Sequence, residues 1–149
     1  MFVRALIAFF VLPGVVSFVV PAVWLWYSGR TYVDQPLGLV VLVVGIVGLL
    51  WCVRDFYISG KGTLAPWAPP QKLVIVGLYR YSRNPMYLSV VLMLLGWAVS
   101  FGSLTLYIYT ILVVTAFHIR VVRREEPWLA RTYGYEWEHY RSQVPRWFW

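Results

Sequence analysis

Four apolar blocks recur along this chain, at about 6–27, 37–53, 85–101 and 104–122, separated by polar stretches of unequal length. Crossing the hydrocarbon of a bilayer takes ~20 residues as a helix, within a range of ~17–25. Each block is about that long, and Asn84-Pro85 extends the third into the headgroup layer. The pattern predicts an all-α integral membrane protein with four transmembrane helices. Pro13 and Pro21 predict a kink or local break in the first, tolerable in lipid where neighbours satisfy the freed carbonyls. That block exceeds the ~7–15 apolar residues of a signal peptide and has no small-x-small site after it, so it reads as a permanent span. Ser28–Pro36 is a short turn and Gly102-Ser103 a tight hairpin. The longer polar parts are the 54–84 loop and the 123–149 tail. Within the loop, Leu64–Pro70 is rich in Pro and aromatics and Leu73–Val76 is apolar, which predicts an ordered segment on the membrane surface. In the tail, Pro127 predicts a helix boundary or kink near Glu125-Glu126. Beyond it, Leu129, Tyr133, Trp137 and Tyr140 recur at helical spacing, predicting an amphipathic helix in the interface.

Composition agrees and charge adds orientation. With 60% hydrophobic and 13% charged residues and a mean hydropathy of +0.66, a water-soluble globule is excluded, and 149 residues make one domain, 1–149. The net charge of +7 could suggest nucleic acid. With four spans, however, every one of the 13 cations except Arg30 falls on one side, together with both termini. That asymmetry is the positive-inside pattern, so this face is cytoplasmic and no nucleic-acid partner is expected. Cys52, the only cysteine, sits in the second block and has no internal disulfide partner. His118 and His139 lie without Cys or acidic clusters at ligand spacing, so no metal site is expected. His118 reads as a satisfied polar residue inside the bundle.

The segment Gly77–Tyr87 concentrates chemistry at one membrane depth. Asn84-Pro85 is a helix start, Asn as N-cap and Pro in the first turn. Arg83 precedes Tyr87 by four residues, so both can face one way. Glu125 and Glu126 stand at the same membrane edge among Arg120, Arg123 and Arg124. Singly, these residues read as anchors, a cap, belt aromatics and an ion-pair cluster. Together they suit a polar zwitterion with a cationic centre: carboxylates for an ammonium or ribose hydroxyls, Arg for a carboxylate, aromatic faces around a sulfonium.

Three runs, Gly60–Pro66, Pro69–Val74 and Gly77–Tyr87, resemble isoprenylcysteine carboxyl methyltransferases and their bacterial homologues, which are related to membrane phospholipid methyltransferases. Glu125-Glu126-Pro127-Trp128-Leu129, Tyr133-Gly134, Tyr140 and Val144-Pro145-Arg146-Trp147 resemble that family's tail, so the resemblance covers about Gly60 to Trp147. It implies a methyltransferase of a bacterial inner membrane that holds S-adenosylmethionine on the cytoplasmic side. By that resemblance Tyr79, Arg83, Asn84, Pro85, Tyr87, Glu125 and Glu126 shape the cofactor site, and Asn84 stands where eukaryotic members usually have His. A carboxylate acceptor needs no general base and Arg120 could hold it; for an amine or thiol, Tyr87 or Glu126 is the candidate base. The expected acceptor is apolar or amphiphilic: a prenylated cysteine, a phospholipid amine, an isoprenoid acid or a thiol. Two other readings stand beside this one, a relative of NADPH-dependent sterol-type reductases and a non-catalytic membrane scaffold. Oligomeric state is not readable.

Overall fold

In the computed structural model, residues 10–60 and 72–148 are described, and among them every regular element is helical. A π-helical segment, Phe10–Val19, leads into α1 (Val20–Tyr27). Then follow α2 (Pro36–Gly60), a 3-10 turn (Gly77–Arg80) and α3 (Pro85–Ser100). The chain continues as α4 (Leu104–Arg120), a π-helical stretch (Val121–Glu125), α5 (Glu126–Tyr133) and α6 (Tyr135–Gln143).

Two helices, Pro36–Gly60 and the continuous run Leu104–Tyr133, are long and apolar enough to cross a membrane; Pro13–Tyr27 and Pro85–Ser100 are shorter apolar helices. Only 28% and 17% of the most apolar stretches of the two long helices are buried. Val43, Val44, Val47, Leu50, Ile108, Ile111 and Leu112 all point outward. A soluble protein buries such residues, whereas hydrocarbon solvates them, so the distribution is that of a membrane protein.

What faces inward is small. Along α2, Gly38, Leu42, Gly45 and Leu49 are buried, and they oppose Ser100, Gly96, Met93 and Ser89 of antiparallel α3. A methyl on Gly45 would stand 2.6 Å from Met93 Cγ, and one on Gly96 2.5 Å from the Leu42 nitrogen. Where lipid removes the hydrophobic drive between helices, small residues allow the backbone approach that holds them together. Leu42, Leu49, Val90, Met93, Leu94 and Val113 complete this core, the last bringing in α4. Pro21 has no N–H for the Ser17 carbonyl four residues back, and the Trp97 indole donates to it at 2.8 Å. The chain therefore stays helical through both prolines instead of breaking, with Pro13 inside the π-helical winding.

The turn after α1 and the turn after α3 meet at one end. Arg30 donates to the Phe101 carbonyl at 2.6 Å, and the Asp34 amide to that of Ser100 at 2.7 Å. The opposite end carries the Gly77–Tyr87 segment, the end of α4, and α5 and α6.

Several expected boundaries move. Helix α2 runs beyond the second apolar block to Gly60, since nothing from Arg54 to Ser59 breaks a helix. The boundary expected near Glu125-Glu126 is present as a change of winding, from a π-helical stretch to α5 with Pro127 in its first turn, but the rod stays continuous to Tyr133. The single amphipathic tail helix is two, because Gly134 takes φ 51, ψ −117, a conformation that ends α5. Trp137 and Tyr140 are buried against Leu73, Leu129 and Val144, so that face covers protein rather than lipid. Of the apolar loop segment, Val74 packs with Cys52 and Tyr79; Leu64–Pro70 lies outside the described residues. His118 is exposed, not within the bundle, and its Nδ1 faces the Trp147 indole at 3.4 Å.

Candidate functional site

Glu126 opens α5 where the 30-residue rod Leu104–Tyr133 has already passed the apolar stretch; at 1.5 Å per residue such a rod exceeds the ~30 Å hydrocarbon core. Two guanidiniums converge on its carboxylate. Arg83 Nη1 lies 3.1 Å from Oε1, an ion pair whose side chains are 8% and 13% exposed. Arg146 donates from Nε to Oε1 at 2.7 Å and from Nη2 to Oε2 at 2.9 Å, a two-pronged grip. Burial works to raise the Glu126 pKa, but Arg146 and Arg83 outweigh it and hold the carboxyl below its ordinary range. Burial lowers the pKa of Arg83, with Glu126 opposing. Its guanidinium stands over the Trp137 ring, 5.3 Å from the centroid.

Glu125, one residue earlier, serves a second cluster. Its Oε1 accepts from the Tyr87 hydroxyl and from Arg120 Nε, the latter at 2.7 Å. The Tyr87 ring packs on Phe117 with centroids 4.4 Å apart. Neighbouring glutamates on a rod thus reach different partners: Glu126 turns to the start of the Ser82–Pro85 segment and the tail, Glu125 to the first turn of α3.

Of the residues expected at the site, Arg83, Tyr87, Arg120, Glu125 and Glu126 are brought into these two linked clusters. Asn84 occupies the N-cap position of α3 but makes no side-chain cap; its Nδ2 donates instead to the Arg146 carbonyl at 3.0 Å. Pro85 is buried in the first turn of α3. Tyr79 is not beside the glutamates. Its ring is buried with Phe56 and Cys52, and its carbonyl accepts from the Tyr140 hydroxyl at 2.6 Å. Burial first of all pushes both phenols above their ordinary value, so Tyr79 and Tyr140 stay protonated.

Sequence reasoning missed Arg146, Ser82 and Trp137. Arg146 stood in the Val144–Trp147 motif, but no local spacing tells that its side chain reaches back 20 residues to Glu126. An open cavity of about 470 Å³ lies elsewhere, bordered by Lys72, Leu73, Tyr135, Glu136 and His139. Among the described residues no three His, Cys, Asp or Glu side chains gather into a metal-holding group.

Two donors are left over. Arg83 Nε and Nη1 are buried without a hydrogen-bond acceptor among the described residues, Nη1 being paired with Glu126 by charge but out of line for a bond. Buried donors of this kind cost free energy unless something accepts from them, which marks a place where a ligand oxygen would be welcome.

Residues 33–136, which are 104 of the 149 positions, match the family described as PEMT, phospholipid methyltransferase. The chain belongs to the phospholipid methyltransferase family. The matched stretch includes Arg83–Tyr87 and both glutamates and ends before the Val144–Trp147 segment. Among curated relatives, the chain is 30% identical over 112 residues to the cobalt-zinc-cadmium resistance protein CzcN of Cupriavidus metallidurans, 75% of this chain and 47% of that protein. It is 32% identical over 62 residues to an uncharacterized protein of Haemophilus influenzae, 42% of this chain and 98% of that one. The chain thus spans about half the length of the first of these relatives and nearly all of the second. No solved structure matches it.

Proposed function

We propose that this member of the phospholipid methyltransferase family is a four-span membrane enzyme that uses S-adenosylmethionine at the cluster around Arg83 and Glu126. The two unaccepted donors of Arg83 carry the reading. They fit the carboxylate of that zwitterion, with the buried Trp137 ring backing the guanidinium, and the neighbouring carboxylates fit its ammonium or ribose hydroxyls. The cofactor supplies a methyl group already activated on a sulfonium. The chain's own work is then alignment and exclusion of water.

Arg54, Lys72, Arg80, Arg83, Arg120, Arg123, Arg124, Arg131, Arg141 and Arg146 all belong to the end that holds this cluster, and Arg30 alone of the described cations to the other. The positive-inside rule puts the cluster at the cytoplasmic face, of an inner membrane if the resemblance to bacterial isoprenylcysteine-type enzymes holds. The family and the depth of the cluster favour an amphiphilic acceptor, either lipid or prenylcysteine-like, reaching it from the bilayer. If the acceptor is a carboxylate, Arg120 is the residue placed to hold it. If it is an amine or thiol, its proton has a route through the Tyr87 hydroxyl to Glu125, along the hydrogen bond between them. Glu126, gripped by two guanidiniums, is a poor proton acceptor and serves as a fixed anion.

Purified protein should be stabilised by S-adenosylhomocysteine and not by NADPH in a thermal-shift assay. Glu126→Ala should abolish that stabilisation and Arg131→Ala should keep it. Stabilisation by NADPH instead would favour the reductase relative, and stabilisation by neither the scaffold. Transfer of label from methyl-labelled cofactor to a lipid extract or to farnesylcysteine then assigns the acceptor.

A further inference from the structure

The segment Val144–Trp147 crosses the site end of the molecule as a strap. Its backbone is fixed first: the Arg83 amide donates to the Pro145 carbonyl at 2.9 Å, and Ser82 Oγ and Asn84 Nδ2 both donate to the Arg146 carbonyl, at 3.2 and 3.0 Å. Ser82 Oγ also accepts from the Asn84 amide at 3.1 Å, so it joins the two ends of the clasp. On the far side the Trp147 indole reaches His118 at 3.4 Å. With its main chain held to the residues around Arg83, the strap carries its guanidinium onto the carboxylate of Glu126.

Without that grip, Glu126 keeps a single charge contact with Arg83, which is out of line for a hydrogen bond. One such contact leaves a carboxylate free to rotate, whereas two parallel N–H···O bonds fix its plane. An Arg83 drawn fully onto a turned Glu126 would spend the donors that a ligand needs. Asn84, which forgoes capping its own helix, is explained by the same arrangement.

We infer that Arg146 is a positioning residue of the cofactor site: it locks the plane of the Glu126 carboxylate so that Arg83 Nε and Nη1 stay available, and Ser82 and Asn84 act through it. The inference rests on the reading of this cluster as an S-adenosylmethionine site. It adds to that reading a residue beyond the stretch matched by the family.

The test is S-adenosylhomocysteine affinity by calorimetry on the full chain in detergent, with unliganded melting recorded for each variant. Arg146→Ala should weaken binding about tenfold or more, the scale of a lost charged hydrogen bond. Arg146→Lys keeps the charge but cannot make the two-pronged grip, so it should recover only part of the loss while melting close to wild type. Glu126→Gln combined with Arg146→Ala should bind within about twofold of Glu126→Gln alone, because the two residues act as one unit. Asn84→Ala should shift affinity in the same direction by a few-fold. Wild-type affinity in Arg146→Lys, or losses that multiply in the double variant, would overturn the inference and leave the site reading intact. Absence of binding by wild type would overturn both. Should Arg146→Ala fail to fold, the Lys variant alone decides.

Discussion

Asp55 and Gly77 explain how an acidic residue sits near the end of a lipid-facing helix. The Asp55 side chain is buried, with Arg54 Nη1 4.0 Å from its Oδ1, and its Oδ2 occupies the space where a side chain on Gly77 would begin. Gly77 also takes φ +58, so two requirements, chirality and room, fall on one residue. Gly134 has only the first: its φ is +51 and nothing stands near its missing methyl. Gly77→Ala should therefore cost more than ~2 kcal/mol and Gly134→Ala about 1 kcal/mol, read as the difference in detergent melting or chemical denaturation. Equal costs would mean that the Asp55 carboxylate swings aside freely. The sequence disclosed these residues as a group rather than singly: Arg83, Tyr87 and the paired glutamates are each cheap at a membrane edge, but their gathering at one edge is unusual. It placed Asn84 rightly at the N-cap position but not the bond of its side chain, because the rule for N-caps is local and the tail carbonyl that accepts from its Nδ2 comes 62 residues later. Arg146 escaped for the same reason.

The helices themselves were legible because an apolar run of bilayer length has few other fates. Their faces were not. In a soluble helix polar and apolar positions separate the outside from the inside, but here the lipid-facing side is Val, Leu and Ile and the inward side is Gly, Ser and Leu, so hydropathy hardly varies around the wheel. The seam between α2 and α3 shows only in the spacing of small residues, at 38, 45 and 48 on one helix and 89, 96 and 100 on the other. Gly96→Val should push α3 off the Leu42 backbone and destabilise by about 1–3 kcal/mol, whereas Val44→Leu, exposed on the same pair, should stay within ~0.5 kcal/mol. Denaturation of the two variants in mixed micelles compares them directly, and a neutral Gly96→Val would refute close packing at this seam. Helix ends were the least readable feature. Pro127 fits the first turn of α5 as comfortably as it would end a helix, and Gly134 breaks the tail only because its backbone adopts a region closed to other residues.

At the scale of the molecule, the chain turns at opposite ends in succession, joining the turn after α1 to the turn after α3 and leaving the chemistry-bearing segments together at the other end. On the proposed topology, a membrane-impermeant maleimide should label Tyr32→Cys on intact cells and Tyr135→Cys only after permeabilisation; both side chains are 84% exposed, and the native Cys52 is buried. The reverse pattern would invert the topology and put the site outside. The gathering of cations at one end was plain from composition along the chain, yet which of them pair was not, since Arg131 and Arg83 look alike until the fold brings Glu126 to one of them. That pairing has a consequence for handling the protein. In molar salt the Debye length shrinks to ~3 Å, and solvent-facing pairs such as Arg141–Glu138, whose side chains are 52% and 58% exposed, are screened away. Glu126, shielded beneath Arg83 and the strap, is hardly reached by mobile ions. Extraction at high ionic strength should therefore strip the exterior of its electrostatic ties and leave the cluster of Arg83, Glu126 and Arg146 assembled.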